Sequence, residues 1–229
     1  MKKLCIFDLD GTLVNTLFSI ASFANEALLA CGYRGIPKER YRYLVGNGAD
    51  VLMRGMLRTV EGAYTEEDVR QLRKVYDRLY EKDPLRGIGN YPGMEVTLKK
   101  LHSWGVLLAV LSNKPHSVVE AIIREVYPRG IFARCYGQME EMPRKPAPDG
   151  ALRIARELNC APEECLYIGD TDVDMKTGAA AHMETVGVLW GFRDRKELEE
   201  NHAVHLAERP EDLLEIVQGN HQKCGTAKF

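Results

Sequence analysis

Short apolar runs alternate with amphipathic segments along most of the chain. The runs are rich in β-branched or aromatic residues, which is typical of strands buried in a parallel sheet. The segments between them, such as 118–126 and 151–158, have helical spacing. This alternation predicts βαβ units and an open sheet with helices on both faces. The five predicted strands are Leu4–Phe7, Val106–Leu111, Ile131–Tyr136, Leu166–Ile168 and Thr185–Leu189.

The stretch between residues 15 and 89 interrupts this rhythm, because it contains no convincing strand. It has four helix-like blocks instead, at 16–31, 37–44, 49–60 and 65–82. A crossover between parallel strands needs only about a dozen residues, so the extra length predicts an inserted helical domain. The expected fold is α/β, a Rossmann-like parallel sheet core in three αβα layers with an inserted helical cap. The predicted domains are a core of residues 1–14 and 89–218, a cap of residues 15–88 and a polar tail of residues 219–229.

The composition is that of an ordinary soluble globular protein, with 229 residues, 45% of them hydrophobic, and a net charge of −2. This near balance of charge argues against a dedicated nucleic-acid-binding protein. No stretch of 18 apolar residues predicts a membrane span. The cysteines show no C-x-x-C spacing, and the N-terminal apolar run is too short for a signal peptide. We therefore expect a cytoplasmic protein with reduced thiols.

Two of the predicted strands end in clusters of aspartates. Asp8 and Asp10 follow the first strand, and Asp170, Asp172 and Asp174 follow the fourth. Open α/β sheets bind ligands at the carboxyl ends of their strands. Carboxylates this close repel one another unless a proton or a cation intervenes, and a hard divalent cation suits oxygen ligands. The alternative is that these acids are turn residues and helix caps, but two such strand ends in one chain favour a metal site.

Two further short segments of the sequence contain candidate phosphate-binding groups. Ser112 and Asn113 follow the second predicted strand, where a hydroxyl and amides at a strand end that opens into a helix can hold a phosphate. Lys145 precedes a proline in a stiffened loop, where its ammonium group could offset the acids and pair with a phosphate. Each segment alone also has a purely structural interpretation. Ser112 and Asn113 could simply start a helix, and Lys145 could be an ordinary surface lysine.

Together and in order, these four motifs resemble those of the haloacid dehalogenase-like hydrolase superfamily. They are D-x-D-G-T at 8–12, Ser-Asn at 112–113, Lys145 before a proline, and G-D-x-x-x-D at 169–174. The insertion directly after the first motif resembles the helical cap of the phosphoglycolate phosphatase-like subfamily. The segments 45–50 and 188–192 are similar to that subfamily as well.

The resemblance implies a Mg²⁺-dependent phosphatase that acts on a small phosphorylated metabolite, with 2-phosphoglycolate as the first candidate. Asp8 would be the nucleophile that forms an aspartyl phosphate. Asp10 would protonate the leaving alkoxide and then activate water. Mg²⁺ would be held by Asp8, the backbone carbonyl of Asp10 and Asp170.

The remaining roles in the core also follow from the resemblance. Ser112, Asn113 and Lys145 would bind the phosphoryl oxygens. Asp174 would orient the metal ligands or Lys145. Thr12 would play a supporting role, by a hydrogen bond to Asp10 or by ending the turn.

The predicted cap should close over the site and supply substrate specificity. Its candidate substrate contacts are Gly46, Asn47, Gly48 and Arg54. The glycines could admit close approach of the backbone to the substrate, or simply separate two helices. Arg54 shares a helix face with Arg58 four residues later, where solvated surface arginines are the plainer interpretation.

Three other functions remain open for this sequence. A sugar phosphomutase or a pyrophosphatase would use the same fold, although the cap contains no histidine to assist a mutase. A regulator that binds phosphate without turnover is disfavoured by the presence of all four motifs. The protein could also be a homodimer, through either the cap or the core.

Overall fold

A computed structural model describes residues 1–220, and these residues form two compact units. The first contains Met1–Asn15 and the chain from Asn90 onward, and the second is Thr16–Gly89. The inserted unit thus runs from residue 16 to 89, against the predicted 15–88. Most of the predicted tail, residues 221–229, lies outside the described residues.

The first unit is built on a parallel sheet of six strands, and two further short strands pair with each other in a second sheet. The strands are β1 (Leu4–Phe7), β2 (Val14–Asn15), β3 (Gly89–Asn90), β4 (Leu107–Pro115), β5 (Arg134–Gln138), β6 (Cys165–Gly169), β7 (Glu184–Val188) and β8 (His205–Ala207). The six-stranded sheet has the order β5-β4-β1-β6-β7-β8, and β2 pairs with β3. This confirms the predicted α/β fold with a parallel sheet.

Helices connect the strands and fill the insertion. The inserted unit contains α1 (Leu17–Ala30), α2 (Lys38–Tyr41), α3 (Ala49–Val60) and α4 (Glu66–Lys82). The core unit contains α5 (Met94–Ser103), α6 (His116–Val126), α7 (Asp149–Glu157), α8 (Asp172–Ala180), α9 (Arg195–Glu200) and α10 (Asp212–Gln218). None of the helices between residues 1 and 220 is both long and apolar enough to cross a bilayer.

Strand β1 is apolar along its whole length, as suits a strand in the interior of the sheet. In that position it is completely buried. Phe7 at its end is level with Val110 of β4 on one side and Ile168 of β6 on the other. The chain runs from β1 out to β4 and β5, and then returns to β6 on the opposite side of β1. Ligands bind at such a reversal of strand order, so the ends of these three strands define the place of the site.

The structure differs from the sequence prediction in several details. The two-residue strands β2 and β3 were not predicted, and β4 extends to Pro115, beyond the predicted end at Leu111. Strand β8 was not predicted, because it contains only three residues and so carries little periodic signal. Strand β5 begins at Arg134 instead of Ile131, since Ile131 is buried in a turn closed by its amide and the carbonyl of Pro128. Helix α2 is four residues long, shorter than the predicted block at 37–44.

The inserted unit has an apolar core of its own. Helices α1, α3 and α4 bury one face each, and the rings of Phe23 and Tyr80 lie 4.8 Å apart. Helix α4 begins with a capping box, in which Thr65 and Asp68 satisfy each other's backbone amides. The unit is therefore stabilised internally by burial and by a defined helix start.

Candidate active site

Three carboxylates meet at the ends of β1 and β6. Asp8, Asp170 and Asp174 each offer an oxygen within 4.8 Å of the others, and all three are buried. The Lys145 ammonium lies among them and donates to Asp8 Oδ1 at 2.7 Å and to Asp174 Oδ1 at 2.8 Å. Residues that are up to 166 positions apart in sequence thus form one charged cluster under the carboxyl edge of the sheet.

Burial is the largest single influence on the pKa of Asp8, Asp170 and Lys145. It raises the pKa of Asp8 to about 7, against the opposing effect of Lys145. Burial also raises the pKa of Asp170 well above its usual value, and the neighbouring Asp174 and Asp8 carboxylates add to the shift. For Lys145, burial favours the neutral amine, but the two aspartates outweigh it and raise its pKa well above the usual value. Full ionisation of the three carboxyl groups is therefore disfavoured with one lysine beside them, and a further cation would stabilise the ionised forms.

The donor set fits a divalent cation. Carboxylate oxygens are hard ligands of the kind that Mg²⁺ prefers. Lys145 offsets one of the three negative charges, and the remaining charge matches that of a divalent ion. Among the residues that the structure describes, the side chains of Asp8, Asp170 and Asp174 are therefore placed to hold a metal ion. The predicted ligand set of Asp8, Asp170 and the Asp10 carbonyl shares two members with this cluster.

Asp170 is fixed by two hydrogen bonds and by close glycines. The Thr12 hydroxyl donates to Asp170 Oδ1 at 3.1 Å, and the backbone amide of Phe192 donates to Oδ2 at 2.8 Å. Thr12 thus supports Asp170 and not Asp10. Gly11, with φ +87°, and Gly191 both face the Asp170 side chain, and a Cβ at either position would lie within 2.3 Å of it. Both positions require glycine because this carboxylate occupies the space that a side chain would take.

We expect Gly191→Ala to reduce turnover by about 100-fold, because small displacements of a positioned group cost that much. The new Cβ would lie 2.2 Å from the Asp170 Cβ, so the carboxylate must move. Steady-state phosphate release measures the effect. Gly89→Ala is the matched control, since a Cβ there meets nothing within 4 Å. Equal activity of both variants would show that the position of Asp170 is not critical.

Lys145 is held by Asn113 as well as by its carboxylate partners. The Asn113 side chain accepts from the Lys145 amide at 2.9 Å and donates to the Lys145 carbonyl at 3.1 Å. Asp174 in turn accepts from the amide and the hydroxyl of Thr171, at the start of α8. Asn113 and Asp174 therefore fix the lysine from its backbone and from its ammonium group, respectively.

The other predicted residues of the core lie around this cluster. Ser112 is buried at the carboxyl end of β4, and its hydroxyl accepts from the Lys114 amide at 3.3 Å. Asp10 is paired with Lys114, whose ammonium donates to both carboxylate oxygens at 2.9 and 3.1 Å. The structure therefore gives the two aspartates of the first motif two different lysine partners.

The candidate substrate contacts of the predicted cap lie in the second unit. Gly46, Asn47 and Gly48 form the segment before α3, and Gly48 precedes the first residue of that helix. Arg54 lies on α3, where its guanidinium pairs with Glu66 at 2.7 Å. Their contact with a substrate stays a prediction.

Sequence reasoning missed one residue of this site and gave no role in it to one segment that it had singled out. Lys114 directly follows the Ser112–Asn113 pair at a strand end, and this position was the signal that it belongs to the site. The segment 188–192 was singled out only as similar to the subfamily, and the structure shows that Gly191 and Phe192 within it close around Asp170. Its signal was a glycine soon after a buried strand, but backbone contacts of this kind leave little trace in a sequence.

Comparisons with known proteins agree with this geometry. A family model of haloacid dehalogenase-like hydrolases matches residues 2–182. A phosphoglycolate phosphatase of Salmonella paratyphi A is 33% identical over 203 residues, which cover 81% of each chain. A crystal structure provisionally assigned as a phosphoglycolate phosphatase, from Lactobacillus delbrueckii subsp. bulgaricus, has a TM-score of 0.88 at 29% identity, with 95% of this chain and 99% of that chain covered. A predicted phosphoglycolate phosphatase from Haemophilus somnus has a TM-score of 0.86 at 27% identity, with 95% and 98% covered.

The fold and the buried acidic cluster define an α/β protein with a candidate active site at the carboxyl edge of its parallel sheet. The chain belongs to the haloacid dehalogenase-like hydrolase family. Within that family it is a phosphoric monoester hydrolase, so its substrate is a small phosphorylated compound.

Proposed function

We propose that the enzyme is a Mg²⁺-dependent phosphatase that works through an aspartyl phosphate. The first candidate for its substrate is 2-phosphoglycolate. The observation that carries the proposal is the buried cluster in which Asp8 contacts Lys145 beside Asp170 and Asp174. The choice of candidate substrate rests on similarity to known proteins, since a phosphoglycolate phosphatase is 33% identical to this chain over 203 residues.

Asp8 is the proposed nucleophile. Its position directly after β1 presents the carboxylate at the reversal of strand order. Attack on phosphorus forms a bond from Asp8 to the phosphoryl group and breaks the bond to the leaving oxygen, so that one difficult step becomes two. The contact with Lys145 opposes the effect of burial and favours the ionised form that attacks.

Asp10 is the proposed proton carrier. It gives a proton to the leaving oxygen in the first step and takes one from water in the second. Asp10 lies two residues beyond Asp8 but has a different partner, Lys114. Different surroundings are what allow neighbouring carboxyl groups to take different roles in one reaction.

The other residues of the cluster hold the phosphoryl group and the cation. Lys145 and Ser112 lie buried at the same edge, where an ammonium and a hydroxyl suit phosphoryl oxygens. Asp8 and Asp170 would hold Mg²⁺, and Asp174 fixes Lys145 by the ion pair at 2.8 Å. A bound Mg²⁺ would offset the repulsion between the carboxylates and the negatively charged substrate.

The proposal is tested by measuring kcat/KM for phosphate release from a panel of phosphate compounds with Mg²⁺. The panel contains 2-phosphoglycolate, p-nitrophenyl phosphate, pyrophosphate, a nucleotide and glucose 1-phosphate. We expect 2-phosphoglycolate to lead by at least about tenfold, since a buried polar site discriminates against substrates that leave its groups unpaired.

Other outcomes point to the other functions. Conversion of glucose 1-phosphate into its isomer without net phosphate release would indicate a phosphomutase. Preference for pyrophosphate would indicate a pyrophosphatase, and binding of phosphate without any turnover would indicate a regulator. Each of these results would overturn the proposed reaction or its substrate.

A further inference from the structure

Each aspartate of the first motif has a lysine of its own. Asp8 is paired with Lys145, which it shares with Asp174. Asp10 is paired with Lys114, whose ammonium contacts both of its carboxylate oxygens. Both members of this second pair are largely shielded from solvent, with 8% of the Lys114 side chain and 14% of the Asp10 side chain exposed.

The Lys114 pair sets Asp10 apart from the acidic cluster. Within residues 1–220, the carboxylates that form a group of three with oxygens all within 4.8 Å of one another are Asp8, Asp170 and Asp174, and that group does not include Asp10. A contact to both oxygens restricts the rotation of a carboxylate more than a single hydrogen bond does. Lys114 therefore restricts where the Asp10 oxygens lie.

The fold places Lys114 beside Asp10 through strand pairing. Strands β1 and β4 are parallel neighbours, and Phe7 is level with Val110. Asp10 follows the end of β1 in the turn at Gly11, while Lys114 lies near the end of the longer β4. The backbone of Lys114 is packed closely against β5, since a Cβ on Gly137 would lie 2.5 Å from the Lys114 carbonyl oxygen. This close packing gives the lysine a rigid base.

We infer that Lys114 is a positioning residue for Asp10 in proton transfer, an inference that rests on the proposed function. In the first step the bond from Asp8 to phosphorus forms and the bond to the leaving oxygen breaks. The Asp10 carboxyl gives its proton to that oxygen and becomes a carboxylate, which faces the Lys114 ammonium. In the second step the same carboxylate takes a proton from water while the water oxygen bonds to phosphorus. The bond from phosphorus to Asp8 breaks, which releases phosphate and restores the Asp8 carboxylate. Lys114 holds Asp10 in place in both steps without contacting the substrate.

Lys114→Met tests the inference through the leaving group. This change removes the charge and keeps most of the length of the side chain. The alkoxide of 2-phosphoglycolate needs a proton as it leaves, whereas p-nitrophenolate leaves without one. We expect kcat/KM to fall by about 10- to 100-fold for 2-phosphoglycolate, within the range of general-acid effects, and to change far less for p-nitrophenyl phosphate. kcat/KM is the right quantity because it reports on formation of the aspartyl phosphate and not on its hydrolysis.

Two further variants separate positioning from a loss of structure. Lys114→Arg keeps the charge and a two-point contact with a carboxylate, so we expect it to preserve the ratio of kcat/KM between the two substrates. Lys99→Met removes a lysine from an exposed ion pair with Glu95 on α5 and should leave both activities unchanged. Circular dichroism and thermal unfolding show that each variant is folded.

A double variant gives the decisive comparison. If Lys114 acts through Asp10, Lys114→Met should add little to the loss caused by Asp10→Asn, because coupled residues are not additive. Equal losses for both substrates, or full additivity with Asp10→Asn, would overturn the inference. If 2-phosphoglycolate is not hydrolysed by the unmodified enzyme, the proposed substrate fails instead. The same comparison then uses whichever alkyl phosphate is turned over.

Discussion

Asp8→Asn should abolish phosphate release, with a loss of at least about 10⁴-fold, as for removal of other nucleophiles. The amide cannot form the acyl phosphate, so neither step of the reaction can proceed through this residue. The fold should persist, because the asparagine oxygen can still accept the hydrogen bond from Lys145. Steady-state turnover and circular dichroism together measure the two effects.

The covalent intermediate offers a direct check of the same assignment. In the unmodified enzyme, acid quenching during turnover and mass spectrometry should find one phosphoryl group on the peptide that contains Asp8. The Asp8→Asn variant should show none. Asp172→Asn is the matched control, since this aspartate lies among the same motifs but pairs with Lys176 in an exposed ion pair. It should keep activity within about twofold, and normal turnover by Asp8→Asn would refute the assignment of the nucleophile.

Asp170→Asn should lower kcat/KM by about 10²- to 10³-fold and raise the Mg²⁺ concentration needed for half-maximal activity. The reason is that Asp170 is completely buried beside Asp8 and Asp174, where it contributes one of the charges that call for a cation. Removal of divalent ions with a chelator should end turnover in the unmodified enzyme, and added Mg²⁺ should restore it.

Thermal unfolding provides a readout of this site that does not depend on activity. A ligand that binds only the folded state raises the melting temperature, so Mg²⁺ should stabilise the unmodified enzyme. The gain should be smaller in Asp170→Asn and unchanged in Asp172→Asn, whose carboxylate is not in the cluster. An equal gain in all three proteins would mean that the cation binds elsewhere.

The Lys145 loop shows how far a motif alone can be interpreted. In the sequence, Lys145 is a lysine before a proline, with a plain surface role as the alternative. In the structure it is 5% exposed and lies between Asp8 and Asp174. The choice between the two roles depends on contacts across 137 residues of sequence. Such a contact is set by the sheet and cannot be derived from the local pattern.

Asn113 illustrates a different limit. The sequence placed it next to Ser112 at a strand end and predicted contact with phosphoryl oxygens, which stays a prediction. The structure shows that its side chain holds the Lys145 peptide on both its amide and its carbonyl. A side-chain amide is both donor and acceptor, so the residue type is compatible with either role, and only the position of the neighbouring loop distinguishes them.

The sequence by itself determined the parallel α/β core, the helical insertion and the two acidic strand ends. These features depend on hydrophobic periodicity and on residues that are close along the chain, which local patterns report well. Only the tertiary structure decided which lysine meets which aspartate, and that Thr12, Gly191 and Phe192 surround Asp170. Those contacts join segments that are distant in sequence. They arise because strand order brings β1, β4 and β6 side by side, and no local pattern encodes that order.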